Sequence, residues 1–343
     1  MKKALLASAV IAALLTMYAG SRIAHWWQEP APGVQDILLV GSGASLSTIA
    51  AQLAEKDVLR WPRLWTLAAR LQGLDARVQR GEYSLVTARS PRQLLQMLVA
   101  GDVVTYSVTL AEGLNFRQAF ELVQQQEALA KVLTGPEDKA LLSVIAPQEH
   151  PEGWFFPDTY VFRRGETDLD ILRQAHRRMR TALAEAWTDR EEGLPYREPY
   201  EALIMASIVE KETGLPAERG QIAGVFVRRL QRGMRLQTDP TVIYGLGPDF
   251  DGNLRKKHLA DDTNLYNTYR HKGLPPTPIA LPGREALAAA VRPVQGSALY
   301  FVARGDGSHQ FSTTLAEHES AVRQYQLTRR KDYRSTPPQG GGS

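Results

Sequence analysis

Lys2 and Lys3 stand before the run ALLASAVIAALLTMYAGS, which carries no charge until Arg22. A bilayer-spanning helix needs about 20 apolar residues, with a range reaching down to about 17. The run therefore predicts an N-terminal membrane anchor over residues 1–22. A cleaved signal peptide is the alternative, but no A-x-A site follows the run, and the adjacent Trp26 and Trp27 suit a membrane–water interface. The two lysines place the start of the chain in the cytoplasm, and everything after Arg22 outside the inner membrane. Residues 23–36, which include QEPAPGVQD, have no periodic apolar pattern and read as a linker.

From residue 37 to 110 the pattern predicts a small mixed unit. ILLV and GEYSL read as strands, and VVTYSVTL alternates as a strand should. SLSTIAAQLAEKDVL and WPRLWTLAARLQG have helical spacing, the second stopping at Gly73. SPRQLLQMLVAGD opens on a Ser-Pro helix start and closes on Gly101. Residues 111–330 predict a larger mixed unit. NFRQAFELVQQQEALAKVL, DILRQAHRRMRTALAEAWTDR and AERGQIAGVFVRRLQRG read as helices. PEGWFFPDTYVF, broken by two prolines, reads as an ordered loop or short strand. LYFVARGDGSHQFS predicts a hairpin turning at Gly305-Asp306-Gly307, and TLAEHESAVRQYQ a last helix. Residues 331–343 predict a disordered tail. The fold class is α+β, with a single transmembrane helix ahead of the two units.

At 43% apolar and 23% charged residues, the composition is that of a globular protein and excludes global disorder. A net charge of +4 suits acidic surroundings or an anionic polymer without naming one. The absence of cysteine excludes disulfides, thiol nucleophiles and cysteine-held metals. The seven histidines show no ligand spacing, and neither a G-x-S-x-G nor a Walker sequence occurs, so no metal or cofactor is expected. The basic runs HRRMR and RRLQRGMR read as solvated helix faces, and no nucleic-acid partner is expected.

The candidate chemistry centres on ASIVEKETGLP. EPYEALIMASIVEKETGLP reads as one helix with Pro199 in its first turn, Gly214 as its left-handed stop and Pro216 beyond. Two positions on a helix subtend about 200°, so Glu210 and Glu212 point nearly opposite ways. Glu212 continues the stripe Met205, Ile208, Val209, whereas Glu210 follows the smaller row Leu203, Ala206, Ser207. Lost hydration and the negative end of the helix dipole both favour protonated Glu212, as a general acid requires. Spacing alone favours an ordinary half-exposed residue at a helix end. Glu210 reads as a supporting carboxylate paired with an arginine of the next helix. In GMRLQTDPTVIYGLG, a strand-like stretch, Gln237, Thr238 and Asp239 can hydrogen-bond a sugar and Tyr244 can stack on one. The alternative there is a capped turn with Asp239 bonding its own backbone. The proline-rich loop 265–283 carries Tyr266, Asn267 and Tyr269 and could either line a site or cover the core.

Taken together, EGWFFPDTY, ASIVEKET, RGQIAGVFVRRLQRGMRLQTDPTVIYGLG, YNTY, GLPPTPIALPG and LYFVARGDGSHQFSTTLAEH closely resemble the YceG-like endolytic murein transglycosylases. The resemblance implies a LysM-like small unit and a YceG-like catalytic unit. It implies a lyase that cuts the MurNAc–GlcNAc bond of nascent peptidoglycan strands without water, leaves 1,6-anhydroMurNAc ends and terminates elongation. The family's catalytic glutamate falls on Glu212, and Glu210, Gln237, Thr238, Asp239, Tyr244 and Asn267 are expected around the substrate. Implied partners are glycan strands, the inner membrane, and glycan-polymerising penicillin-binding proteins of the elongation and division machinery. A water-using muramidase with Glu212 as acid and Asp239 or another carboxylate as partner, and an anchored wall-binding scaffold, are the competing readings.

Overall fold

In a computed structural model, which describes residues 2–41, 43–148 and 150–327, the N-terminal run forms helix α1 (Lys2–Gln28). Its stretch Leu6–Gln28 is long and apolar enough to cross a membrane. The helix does not stop near Arg22 as the charge pattern predicts. The chain divides into two compact units, one of Met1–Tyr106 with Val161–Glu166, the other of Ser107–Tyr160 with the chain from Thr167 on. The expected tail 331–343 lies outside the described residues.

The first unit follows α1 with β1 (Ile37–Val40), α2 (Leu46–Glu55), α3 (Pro62–Leu71), β2 (Gly81–Ser84) and α4 (Pro91–Ala100). Local chemistry sets the helix ends. Ser45 caps α2 by accepting from the Thr48 N–H, and Ser90 with Gln93 forms a reciprocal capping box on α4. Gly101, at φ 71°, ends α4 in the left-handed conformation that glycine adopts without a Cβ penalty. The strands pair antiparallel with Leu38 opposite Tyr83, so both side chains enter one core and are fully buried there. Trp65 joins them and donates its indole N–H to the Pro91 carbonyl at 2.8 Å. Trp26 also belongs to this core, 5.1 Å from the Trp61 ring. An indole buries a large apolar area, and this core gives it that. Nor is the expected linker free, because Ala31 and Val34 donate backbone hydrogen bonds to Arg89 and Leu85.

The second unit begins within β3 (Thr105–Thr109) and continues with α5 (Phe116–Gln124), α6 (Lys139–Ile145), β4 (Thr159–Arg163), α7 (Asp168–Thr188) and α8 (Pro199–Glu212). After these come α9 (Pro216–Gln231), α10 (Asp239–Leu246), α11 (Lys256–Ala260), α12 (Arg284–Val291), the antiparallel hairpin β5 (Tyr300–Ala303) and β6 (His309–Ser312), and α13 (Leu315–Val322). The unit is largely helical. Two elements differ from the apolar pattern. The helix expected over NFRQAFELVQQQEALAKVL ends at Gln124, and the strand-like TVIYG is the helix α10, with Asp239 and Pro240 in its first turn. Proline at a helix start loses no hydrogen bond, and burial of Thr241 and Val242 overrides their β-branched preference.

The centre of this unit is α8. Every residue from Ala202 to Val209 is buried, and α7, α9, α10 and α12 pack around it. A helix apolar on all sides needs such enclosure. Ile279 donates its N–H to Ser207 Oγ at 2.9 Å, which ties loop 265–283 along the helix. Gly153, at φ 81°, lies against the Pro278 ring so closely that a Cβ would collide with it. The loop 151–158 and the proline-rich loop are thereby held together beside α8.

Candidate active site

The last turn of α8 emerges from this apolar enclosure carrying Glu210, Lys211 and Glu212. The stop is made by Thr213 itself, which turns extended (φ −145°, ψ 136°) and accepts the Leu215 N–H on Oγ1 at 2.9 Å. Gly214 is not the left-handed cap that the sequence suggests. Pro216 then opens α9 directly, so the helix end and the next helix start share a four-residue corner.

Around this corner lies a cavity of about 490 Å³, within the range of small-ligand sites. Its walls are residues 112–114 with Gln118, residues 210–214, and Gly307 and His309 of the hairpin. Backbone bonds shape one wall: Gly113 N–H donates to the Leu281 carbonyl and Leu281 N–H to the Leu114 carbonyl. Lys211 donates its ammonium to the Gly113 carbonyl at 3.0 Å. Both glutamates border the cavity although they leave the helix on opposite sides, because the cavity wraps around a helix terminus rather than along one face.

Burial pushes the Glu212 carboxyl up to about 7, and the nearby Asp239 charge adds to the rise. Thr238 Oγ1 donates to Glu212 Oε1 and, with the more distant Arg229 cation, opposes it. Burial also raises the Glu210 carboxyl, with Glu112 contributing, but two partners hold that group. Its Oε2 accepts the Gly283 N–H at 2.9 Å and its Oε1 lies 3.5 Å from Arg219 Nη2. Arg219 also reaches Glu112 at 3.7 Å and pairs with Glu285. One buried guanidinium thus serves three carboxylates. Gly283 has no side chain for a reason visible here: a Cβ would overlap the Glu112 carboxylate.

The other residues singled out in the sequence separate into two groups. Thr238 touches Glu212 directly. Asp239 is exposed and accepts the Tyr269 hydroxyl at 2.7 Å, not its own backbone. Gln237, in a left-handed conformation at φ 52°, is exposed and accepts from Arg229 Nη1 at 3.3 Å. None of Gln237, Thr238, Asp239, Tyr244 and Asn267 borders the cavity. Tyr244 donates its hydroxyl to Glu152 Oε2 at 3.0 Å and packs edge-on against Tyr266. Asn267 is fully buried, gives its amide to the carbonyls of His258, Leu259 and Asp261, and accepts the Tyr269 N–H. Its hydrogen-bonding capacity is spent on folding the loop.

Several residues at the site were not singled out. Arg229, which the basic run suggests is solvated, is buried; it stacks 5.0 Å from the Tyr300 ring and donates to the carbonyls of Leu299 and Leu236. It fixes the segment that delivers Thr238. Arg219 is likewise buried. Glu152, nearly fully buried, accepts the Phe116 N–H on both oxygens, and burial pushes it up to about 7. The signal for it was the charged residue inside the aromatic run PEGWFF.

One prediction concerns Thr238. Its hydrogen bond stabilises ionised Glu212, so Thr238→Val should raise the Glu212 pKa further. The alkaline limb of the activity profile should then move up by roughly one pH unit, the worth of one such bond. An unmoved limb would show that the contact does not persist in the working protein.

The chain as a whole is similar to known proteins. The chain belongs to the YceG-like family, whose model matches residues 38–324. It is 30% identical over 304 residues to an endolytic murein transglycosylase of Bacillus subtilis (strain 168), covering 83% of each chain. It is 25% identical over 325 residues to an endolytic murein transglycosylase of Streptococcus pneumoniae serotype 2, where it spans 57% of the relative's length. In three dimensions it resembles the crystal structure of a YceG-like protein from Listeria monocytogenes, with a TM-score of 0.54 and 27% identity over 83% of this chain and 98% of that one.

Proposed function

We propose that the protein is an endolytic lytic transglycosylase, a lyase acting on peptidoglycan glycan strands, with Glu212 as its single acid and base. The observation that carries this is a carboxyl at the cavity that burial pushes up to about 7, with the cavity's other acids held by partners. Of the cavity's other acids, Glu112 and Glu210 are both drawn to Arg219. Protonated Glu212 donates to the oxygen linking MurNAc C1 to GlcNAc, and that C–O bond breaks with the electron pair going to oxygen. The resulting Glu212 carboxylate takes the proton from the MurNAc C6 hydroxyl as its oxygen bonds to C1. The glutamate ends protonated, water is not consumed, and the product end is 1,6-anhydroMurNAc. Cleavage within a nascent strand ends its elongation.

Thr238 and Arg229 favour the carboxylate that exists between the two half-steps, while burial favours the acid at the start. A pKa near the working pH serves a group that must play both parts. Gln237 and Asp239 stand on the same segment and are proposed to contact sugar hydroxyls. Glu210 is proposed as a support for the cavity wall, and Tyr244 and Asn267 as supports of the loops behind it.

The anchor α1 is proposed to hold the protein in the inner membrane with its start in the cytoplasm and both units outside. The strand–helix–helix–strand order of β1, α2, α3 and β2 supports a LysM-like role for the first unit, and its cavity edged by Gln79, Arg80, Glu82, Arg163 and Arg164 suits a polyhydroxylated strand. Glycan-polymerising penicillin-binding proteins are the proposed partners, since they supply the nascent strand.

The hydrolytic alternative assigns Asp239 or another carboxylate as partner; Asp239 accepts the Tyr269 hydroxyl at 2.7 Å. Cleavage in ¹⁸O-labelled water separates the two. The transglycosylase reading expects no label in the new ends, and one ¹⁸O per cut would establish a muramidase.

A further inference from the structure

Across the corner from Glu212, the hairpin brings in a second buried polar group. His309 is the first residue of β6 and opposes Ala303 in register. Only 8% of it is exposed, and it borders the cavity. Glu218, in the first turn of α9, grips it twice: Oε1 accepts the His309 backbone N–H at 2.9 Å, and Oε2 lies 2.7 Å from Nδ1. The Phe301 ring stands edge-on to the imidazole at 5.4 Å, which fixes the ring plane. A carboxylate only accepts, so Nδ1 carries its hydrogen in this pair, and in the neutral ring Nε2 is then the lone-pair nitrogen. Nε2 has no partner among the described residues, and it is not one of the buried polar atoms cut off from solvent. An acceptor with nothing to accept from, on a ring held rigid at a cavity wall, is what a site uses to read a donor on its ligand.

We infer that His309 is a substrate-binding residue whose Nε2 accepts a hydrogen bond from a hydroxyl or amide N–H of the glycan bound beside Glu212, and that Glu218 is the positioning residue that fixes its tautomer. The inference rests on the transglycosylase reading for the identity of the ligand, but not for the tautomer or the opening. It gives the hairpin turn at 304–308 a purpose: the turn presents Gly307 and His309 to the same cavity as the acid.

The test uses the full chain in detergent with un-crosslinked glycan strands as the probe. His309→Ala should raise KM by about tenfold, the order expected for one lost hydrogen bond in a fixed site, with a smaller change in kcat. His309→Gln, whose amide reaches to the Nε2 position, should recover part of that loss. Unchanged KM and glycan affinity in a folded His309→Ala chain would overturn the inference. Should that variant melt early, ¹⁵N-histidine NMR of the otherwise unaltered Glu212→Gln chain decides at a pH where the ring is neutral. The inference expects a pyridine-type Nε2 that shifts when glycan is added; a protonated Nε2, or one that glycan leaves unmoved, overturns it. Failure of the enzymatic reading looks different: the unaltered protein would make no anhydro ends, whatever His309 does.

Discussion

Glu212→Gln is expected to slow glycan cleavage by about 10²–10⁴-fold, the usual worth of a positioned general acid or base. The change keeps the side chain's length and its bond with Thr238 while removing the proton to be given and the carboxylate that takes one back. Both half-reactions fail together, so the loss should fall on kcat, with glycan affinity kept. The unaltered enzyme should also have an alkaline limb near pH 7, because burial pushes the Glu212 carboxyl up to about 7 and only its protonated form starts the reaction. Above that pH the rate should fall about tenfold per unit. The residual activity of Glu212→Gln should lack that limb. An unaltered cleavage rate in this variant would remove Glu212 from the mechanism.

The same substitution is expected to stabilise the protein at alkaline pH. A carboxyl at 4.5 in the unfolded chain and about 7 in the folded one binds more proton when folded. Stability therefore falls as pH rises from 4.5 towards 7 and stays low above it. Glutamine titrates nowhere in this range. The difference between Glu212→Gln and the unaltered chain should be near zero at pH 4.5 and grow to at most about 3 kcal/mol at pH 8, at about 1.4 kcal/mol per unit. Melting temperatures at the two pH values check this. An equal difference at both would mean that Glu212 is not held protonated by the fold. Glu152, also pushed up to about 7, titrates in both proteins and cancels from the comparison. A group that lowers stability where it serves catalysis is a familiar exchange at active sites.

The burial of Glu212 was legible because helical spacing carries an apolar stripe up to it. Glu210 was legible in part: it was read as paired with an arginine of the next helix, and Arg219 of α9 lies 3.5 Å from it. Reading α8 as two-faced assumed solvent on one side, but residues 202–209 are buried on every side, so both carboxylates emerge from an apolar interior. What separates them is the partner each finds: Thr238 for Glu212, Arg219 and the Gly283 N–H for Glu210. Those partners come from 9 to 73 residues away, beyond the reach of any periodicity. Arg229 and Arg219 were hidden for a related reason. Arginines on a helix are usually solvated, and only the hairpin and α12 packing over α9 buries them. Asn267 misled differently: an amide in a long loop suits a sugar, yet here three backbone carbonyls claim it.

The central claim is that a single glutamate cuts the strand by internal attack. It is tested most directly by mass spectrometry of the ends released from purified sacculi by the unaltered protein and by Glu212→Gln. Strand ends lighter by one water, made by the unaltered protein and lost with Glu212→Gln, are the predicted result. Reducing ends from the unaltered protein, or anhydro ends undiminished in the variant, would contradict it.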